Sequence, residues 1–523
     1  METSLLERLF FIVAFASLVG FAQTRADETR VVATILTPQT PIVIASNNVE
    51  RATKLQELDV SAFSRDVREI IVTVSEPKFL KRLEVRVGNN VLGRYDFDNV
   101  FNVDYNAPTM PTQIPIQLDP DVASAALQES GVLAIWTVPS ELAGPETKIK
   151  VGVVSISTKD AYRLAIKIPV LEYRFGVLVR DSGWDNVAQY RIPGIVRSNK
   201  GTLVACYDVR RAGFPDLPAD IDVGVSRSLD GGKTWEPMRI AIDFKGNDER
   251  LEGVGDPAIL VDATSGRIWL AALWGHNGKS IAQSEPGLEF GKSGQLVLAY
   301  SDDDGVTWSK PRNITQEVAL GKDWRLLFQG PGSGICARDG KLVFPAQFFD
   351  KERVGWSTIV WSDDSGATWR VGTGARKGTC EAQVVELNDG ALMLNMRNYG
   401  VNLRERTVAI TRDLGETWSE YRPKEALPCP ICQASLIRVR STKDGDASNL
   451  LAFMNPNSDK NRVDMTVKLS EDEGATWSRA LTLYRSGCCG YSSLVKIDAD
   501  TIGAFYETIG GLIYQTIKLD DIR

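Results

Sequence analysis

The chain reads as all-β, with a six-bladed β-propeller preceded by a small β-sandwich. Three observations predict this: a short phrase repeated five times, apolar strand-length runs placed ahead of each copy, and a repeat-free stretch of shorter alternating strands before them.

The phrase is S/T-x-D-x-G-x-T-W. It opens at Ser228, Ser301, Ser362, Thr411 and Ser470 and closes at Trp235, Trp308, Trp369, Trp418 and Trp477. Its aspartates, Asp230, Asp303, Asp364, Asp413 and Asp472, lie 73, 61, 49 and 59 residues apart, room for one four-stranded sheet each. Asp can bond backbone N–H groups two residues on and close a tight turn, and Gly takes the positive φ that such a turn needs. Thr then re-enters a strand, and Trp covers the hairpin with a large ring. Five copies in order make these architectural turns rather than a reaction centre.

Leu203-Val-Ala-Cys-Tyr, Ile268-Trp-Leu-Ala-Ala-Leu, Leu342-Val-Phe-Pro-Ala, Ala391-Leu-Met-Leu-Asn-Met and Leu450-Leu-Ala-Phe-Met each precede a copy. Such runs suit an inner strand buried on both faces. Five marked turns with unmarked sequence at both ends predict six blades, the last closed by pairing the N- and C-terminal strands.

Residues 30 to 170 lack the phrase. They carry the runs Ile70–Ser75, Leu83–Val87, Ile114–Leu118, Val132–Val138 and Ile149–Ile156, separated by turn-rich segments such as Gly88-Asn-Asn. This is the pattern of a small sandwich, either a glycan-binding module or a structural spacer. The boundary falls between 165 and 178, giving domains at 23–170 and 171–523. Ahead of them, residues 1–22 hold the apolar run Leu9–Ala22, too short for a comfortable membrane span but suited to a signal-peptide core, with Gly20-x-Ala22 as a cleavage site. Export to a periplasmic or extracellular space is therefore expected, with no membrane span once the leader is removed.

Bulk properties exclude several functions. At 523 residues, two domains are natural, and a net charge of −7 with a pI near 5.2 provides no basic field for nucleic acid. The single histidine, His276, rules out a multi-histidine zinc site and reads as a loop residue in Trp274-Gly-His276-Asn-Gly. Seven cysteines fit no disulfide framework by spacing. Cys429 and Cys432 form a C-x-x-C with no second pair or histidine nearby, a weak zinc signal, and Cys488 and Cys489 are adjacent just before Gly490-Tyr491.

Tyr190-Arg191-Ile-Pro193 stands at the head of the second domain. An R-I-P followed by several S-x-D-x-G-x-T-W turns resembles the bacterial sialidases (exo-α-neuraminidases), over about residues 175–520. The resemblance implies a six-bladed propeller that releases terminal sialic acid with retention, using a tyrosine nucleophile and no metal or other cofactor. Its partners would be sialylated glycans of glycoproteins, glycolipids or oligosaccharides.

The resemblance places three arginines on the sugar carboxylate: Arg191, Arg397 in Asn395-Met-Arg397-Asn, and Arg462 in Asn455-Pro456-Asn-Ser-Asp-Lys-Asn-Arg462. Planar guanidinium forks suit a carboxylate, and only a ring-like fold brings these repeats to one axis. Tyr491 falls where the nucleophile belongs. A neutral phenol is not repelled by the substrate carboxylate as an Asp or Glu would be, but its ordinary pKa near 10 demands a base, a role that resembles that of Glu381. Glu386, five residues on, is read as a surface residue. The acid/base resembles Asp216 in Phe-Pro215-Asp216-Leu-Pro, where the loop is less polar than the family pattern; Asp220 and Asp222 are neighbouring competitors read as structural. Arg210 resembles the arginine directed at the C4 hydroxyl, and Glu507 the acid that holds the first arginine. Asp256 and Trp274 resemble residues of the acyl-amide pocket, although Asp before Pro also suits a turn and Trp a core.

A trans-sialidase would share every one of these residues. A non-catalytic glycan-binding propeller has no reason to keep Tyr491, Glu381 and Asp216 together, and a bare scaffold has none to align three arginines.

Overall fold

The computed structural model describes residues 41–45, 51–60, 67–97, 112–159, 163–165, 170–244, 252–400, 403–421, 425, 427–487 and 490–523. The apolar leader, the Ile166-Lys-Ile-Pro169 segment and Cys488-Cys489 lie outside the described residues. The chain divides into two compact units, the first running through Phe175 and the second from Gly176 to Arg523, with Gly144–Glu146 also in the second. The division falls inside one continuous strand, Leu171–Asp181.

In the first unit, Thr53–Asp59, Val132–Pro139, Leu80–Val87 and Asn90–Asp96 form one antiparallel sheet in that order. The start of Leu171–Asp181, Lys148–Thr158, Val67–Val74 and Thr112–Gln117 form the other. Alternate side chains of both sheets, among them Leu58, Ile70, Val72, Leu83, Val85, Ile135 and Ile149, enclose one core, so this unit is a sandwich. It also carries a helix, Pro120–Ser130, that strand alternation does not foretell. Its signal is local. The Asp119 carboxylate accepts the N–H groups of Asp121 and Val122, Pro120 occupies the first turn, and Ala123 and Ala126 turn inward.

Among the described residues the second unit forms six sheets, antiparallel except where Ala258–Ile259 pairs in parallel with Gly332–Ser333. The first strands of the blades are Gln189–Arg197, Val254–Val261, Leu326–Gln329, Thr379–Glu386, Ser435–Arg440 and Ser492–Lys496. First strands of neighbouring blades lie against one another, lining the axis. The sixth blade is completed by Leu171–Asp181, whose Val177–Asp181 pairs with Tyr514–Gly511, so strands from the two ends of the unit close the ring.

The apolar runs ahead of each repeated phrase are not the innermost strands. Leu203–Arg210, Ile268–Trp274, Leu342–Phe349, Leu392–Asn398 and Leu450–Pro456 are each the second strand of a blade. Flanked in the sheet on both sides and covered on both faces by neighbouring blades, they read as continuous apolar runs for that reason.

The phrase itself joins third to fourth strand in blades one to five. The sixth blade has no copy because its fourth strand comes from the other end of the unit. In every copy the Asp bonds four residues on rather than two. In the third, Asp364 accepts the Thr368 N–H (2.9 Å) and hydroxyl (2.6 Å), while Ser362 donates to Asp364 (2.7 Å) and accepts from Gly366 N (2.8 Å). The residue before the glycine is left-handed as well: Gly231, Asp304, Ser365, Leu414 and Glu473 have φ between 56° and 76°. Trp235 and Trp369 donate their indole N–H to their own turn glycine, whereas those of Trp308 and Trp477 have no hydrogen-bond partner among the described residues, so the ring acts chiefly by packing.

Candidate active site

Strand direction sets the site. All first strands run the same way along the axis, and the chemistry gathers where they begin. Arg191 is the third residue of its strand, Glu381 the third of its own, and Tyr491 immediately precedes Ser492–Lys496. Second strands run back and end on the same face, which delivers Arg210, Arg397 and Glu507 there.

At the centre, the Tyr491 hydroxyl donates to Glu381 Oε1 in a short hydrogen bond. Arg397 Nη1 donates both to Glu381 Oε2 (2.5 Å) and to the Tyr491 oxygen (3.0 Å), and its Nε has no hydrogen-bond partner. Glu381 and Arg397 meet because the register between their strands shifts between Thr379 and Ala382, turning both side chains to the axis. The other two arginines flank the phenol: the Arg191 guanidinium lies 5.2 Å and that of Arg462 5.6 Å from the ring centroid. Arg462 Nη2 donates to the Ile431 carbonyl (3.1 Å). Burial pushes the Tyr491 hydroxyl well above its ordinary value and the Glu381 charge adds to this, with Arg397 opposing. The phenol is therefore neutral at rest, beside a carboxylate able to take its proton.

Glu507 anchors this centre. One oxygen accepts Arg191 Nε and the Ile192 N–H, both at 3.0 Å, and the other accepts the Tyr491 N–H at 2.9 Å. Ile192 sits at φ 59°, an unfavourable conformation for a β-branched residue, at a register shift between Arg191 and Gly194. The R-I-P motif is thus a kink that aims Arg191, held by Glu507.

Asp216 lies on the loop after Leu203–Arg210 with its side chain 77% exposed, paired with Arg210 Nη1 at 2.8 Å and Arg191 Nη1 at 3.7 Å. Arg210 is almost fully buried. It also bonds Asp208 and the carbonyls of Phe214 and Pro215, which ties the loop down. Asp220 and Asp222 are not part of this group: Asp222 takes the Arg211 guanidinium at 2.7 Å, and burial pushes its pKa up to about 6 against that pairing.

Asp256, at φ 55°, gives its N–H to Asp208 Oδ1 (2.8 Å), and its carboxyl is raised well above the usual range by burial, then by Asp208, Glu381 and Asp216. Trp274 is the last residue of its blade's second strand, Ile268–Trp274. Its ring stacks on Phe244 at 4.1 Å and its N–H goes to Glu252 (3.1 Å). His276 is more than a loop residue, since it stacks on Phe290 at 4.2 Å and bonds the same Glu252. Glu386 is half-buried and paired with Arg338 (3.2 Å) at the far end of its strand, so it is not a free surface group.

Asp208, Glu252 and Gln329 join the site with no motif to mark them, and Cys432, expected only as part of a weak zinc signal, packs against Tyr491. The Cys432 thiol donates to the Gly490 carbonyl (3.1 Å) and packs with Cys429, Ile192 and Tyr491. Asp208 had a readable signal. In the strand Asp208-Val-Arg210 the two charged residues share a face, and Asp208 stands directly across from Arg191.

The BNR repeat-like domain family matches residues 201–504. A sialidase of Bacteroides fragilis is 46% identical over 391 residues, covering 72% of this chain and 71% of its own. A sialidase of Micromonospora viridifaciens is 31% identical over 65% of this chain and 53% of its own. Among solved structures, the Hadza microbial sialidase Hz136 superposes with a TM-score of 0.81 at 34% identity, covering 94% of this chain and all of that one. The chain belongs to the sialidase family, glycoside hydrolases of the exo-α-sialidase type. Among the described residues no helix is long and apolar enough to cross a membrane.

Proposed function

We propose that the protein is a retaining exo-α-sialidase in which Tyr491 attacks the anomeric carbon of a terminal sialic acid while Glu381 takes the phenolic proton. Asp216 protonates the departing glycosidic oxygen. It then removes a proton from water, which attacks the same carbon, and the tyrosine leaves with its proton returned by Glu381. Arg191, Arg397 and Arg462 hold the substrate carboxylate. Asp216 pairs with Arg210 (2.8 Å) and lies 3.7 Å from Arg191, which keeps the acid beside the arginine that grips the carboxylate. Arg210 serves the C4 hydroxyl, Asp256 and Trp274 the acyl-amide side, and Glu507 positions Arg191 and Tyr491.

The observation that carries this reading is the Tyr491–Glu381–Arg397 hydrogen-bonded group with two further guanidiniums over the phenol ring. A neutral buried nucleophile, its base and an anion grip are the three things that attack on an anionic sugar requires. Substrates are sialylated glycans met outside the cytoplasm, in keeping with the apolar leader.

The test is covalent trapping. A fluorinated sialosyl donor incubated with the enzyme should add one sialosyl mass to the peptide containing Tyr491. Tyr491→Phe should lose the adduct and at least about 10³-fold in kcat on 4-methylumbelliferyl sialoside. An adduct elsewhere, or first-formed product of inverted configuration, rejects the mechanism.

A further inference from the structure

We propose that Asp208, with Gln329, is a positioning residue for this reaction: it aims Arg210 and Asp256 at the sugar as one unit, repeating in blade one what Glu507 does in blade six. The proposal rests on the reading above that Arg210 and Asp256 face the sugar.

Two first strands carry the same irregularity. In blade one, Ile192 before Pro193 is left-handed at φ 59°; in blade two, Asp256 before Pro257 is left-handed at φ 55°. Both lie at register shifts, Arg191/Gly194 and Gly255/Ala258. A non-glycine residue there is strained and persists only where its surroundings fix it. In each case a buried carboxylate from the second strand of the preceding blade does so. Glu507 accepts Ile192 N at 3.0 Å, and Asp208 accepts Asp256 N at 2.8 Å.

In each case the same carboxylate also orients an arginine. Glu507 takes Arg191 Nε at 3.0 Å; Asp208 takes Arg210 Nε at 3.1 Å and Nη2 at 2.9 Å. Gly255 leaves the space for this, because a Cβ there would stand 3.0 Å from Asp208 Oδ1. At the other end of the Asp256 peptide, buried Gln329 donates its amide to the Asp256 carbonyl. The N–H and the carbonyl of the strained residue are thus both held by buried side chains. Asp208 is only 1% exposed, so it does not meet substrate itself and acts through the groups it bonds, Arg210 and Asp256.

A purely structural role would slow all substrates alike; a positioning role depends on the group that Arg210 meets. The experiment measures kcat and KM of the full chain, as wild type, Arg210→Lys, Asp208→Asn and the double variant, on 4-methylumbelliferyl sialoside and its 4-deoxy analogue. Arg210→Lys should raise KM about 10- to 100-fold on the parent and far less on the analogue. Asp208→Asn should follow the same pattern, and the double variant should be no worse than Arg210→Lys alone. If Arg210→Lys discriminates but Asp208→Asn impairs both substrates equally, or adds fully to it, the positioning role is overturned while the Arg210 reading stands. If Arg210→Lys itself treats the two substrates alike, that reading fails and the proposal falls with it. Should Asp208→Asn not melt cooperatively, Gln329→Met supplies the refutation. It should raise KM several-fold on the N-acetylated sialoside and not on its free-amine analogue, and equal effects on both would overturn the clamp.

Discussion

The two ends of the same inner strands are both rich in arginine, yet the arginines keep different company. Where the strands begin, Arg191, Arg397 and Arg462 surround Tyr491 and share two carboxylates, Glu507 and Glu381. Where they end, a cavity of about 790 Å³ is lined from Ile195–Arg197, Val385–Glu386, Leu436–Arg438 and Leu494–Lys496. There Arg338 meets Glu386 and Asp444, and Arg438 makes a two-pronged pair with Glu473 (2.7 and 2.6 Å). These two arginines are held by three carboxylates, while Arg197 and Lys496 also line the cavity. The lesson is that arginine content does not define a substrate site. What differs is what the guanidiniums surround: at the chemical end it is a buried phenol hydrogen-bonded to a carboxylate.

The sharpest way to break this contrast is to remove one arginine from each end. Arg397→Met deletes part of the carboxylate grip and leaves the buried Glu381 without its partner. It should cost about 10³-fold in kcat/KM, with stability also reduced. Arg338→Met should leave kcat/KM within about twofold and cost roughly 1–2 kcal/mol by thermal unfolding, since its pairs are only partly buried. An Arg338→Met enzyme as inactive as Arg397→Met would mean that the far end takes part in the reaction.

A smaller effect is expected from the backbone that presents the nucleophile. Gly490 has φ 90°, and a Cβ there would lie 2.8 Å from Cys432 Sγ, 3.0 Å from Arg462 Cδ and 3.1 Å from Pro456 Cγ. Gly490→Ala must shift both Tyr491 and Arg462, so kcat should fall about 10- to 100-fold, more than any loss of stability accounts for. At the opposite end Gly340, also left-handed (φ 84°), has nothing within 4 Å of a Cβ. Gly340→Ala should change melting temperature by a few degrees at most and leave kcat alone.

How much of this was legible beforehand follows from range. The five turns could be read because each is closed within eight residues by its own side chains. Arg191, Arg210, Arg397, Tyr491, Glu381 and Glu507 lie at or beside strand ends on one face, and Arg462 on the loop after Leu450–Pro456, so motifs at those positions bring them together. What escaped depends on register between strands. Glu381 meets Arg397 through a bulge, Asp208 serves Asp256 in the next blade, and Trp274 turns to Glu252 and Phe244. No periodicity within a single strand carries those offsets. An apolar run does not distinguish a second strand from an innermost one, because burial on both faces looks the same in either position. The helix Pro120–Ser130 was readable from Asp119-Pro120 and hidden only by attention to alternation.

The smallest effect separates the ends by pH. The repeated turns lie on the far face, and there the Thr417 hydroxyl, then the Thr417 N–H and the Thr411 hydroxyl, pull the Asp413 carboxyl down to about 2. Asp303 and Asp364 also reach about 2, since bonds from Thr307 and Thr368 outweigh their slight burial. Each folded value lies below the ordinary unfolded one near 3.9. Their contribution is therefore fully present above about pH 4 and is lost as pH falls through about 2. Because these groups are largely exposed, the loss per turn is small. Asp413→Asn should melt slightly below wild type at pH 5, the gap should close on going from pH 4 to pH 2, and kcat near neutrality should not change. A gap that stays constant across that range would show that the turn is held by its backbone geometry alone, and that the aspartate charge has no part in it.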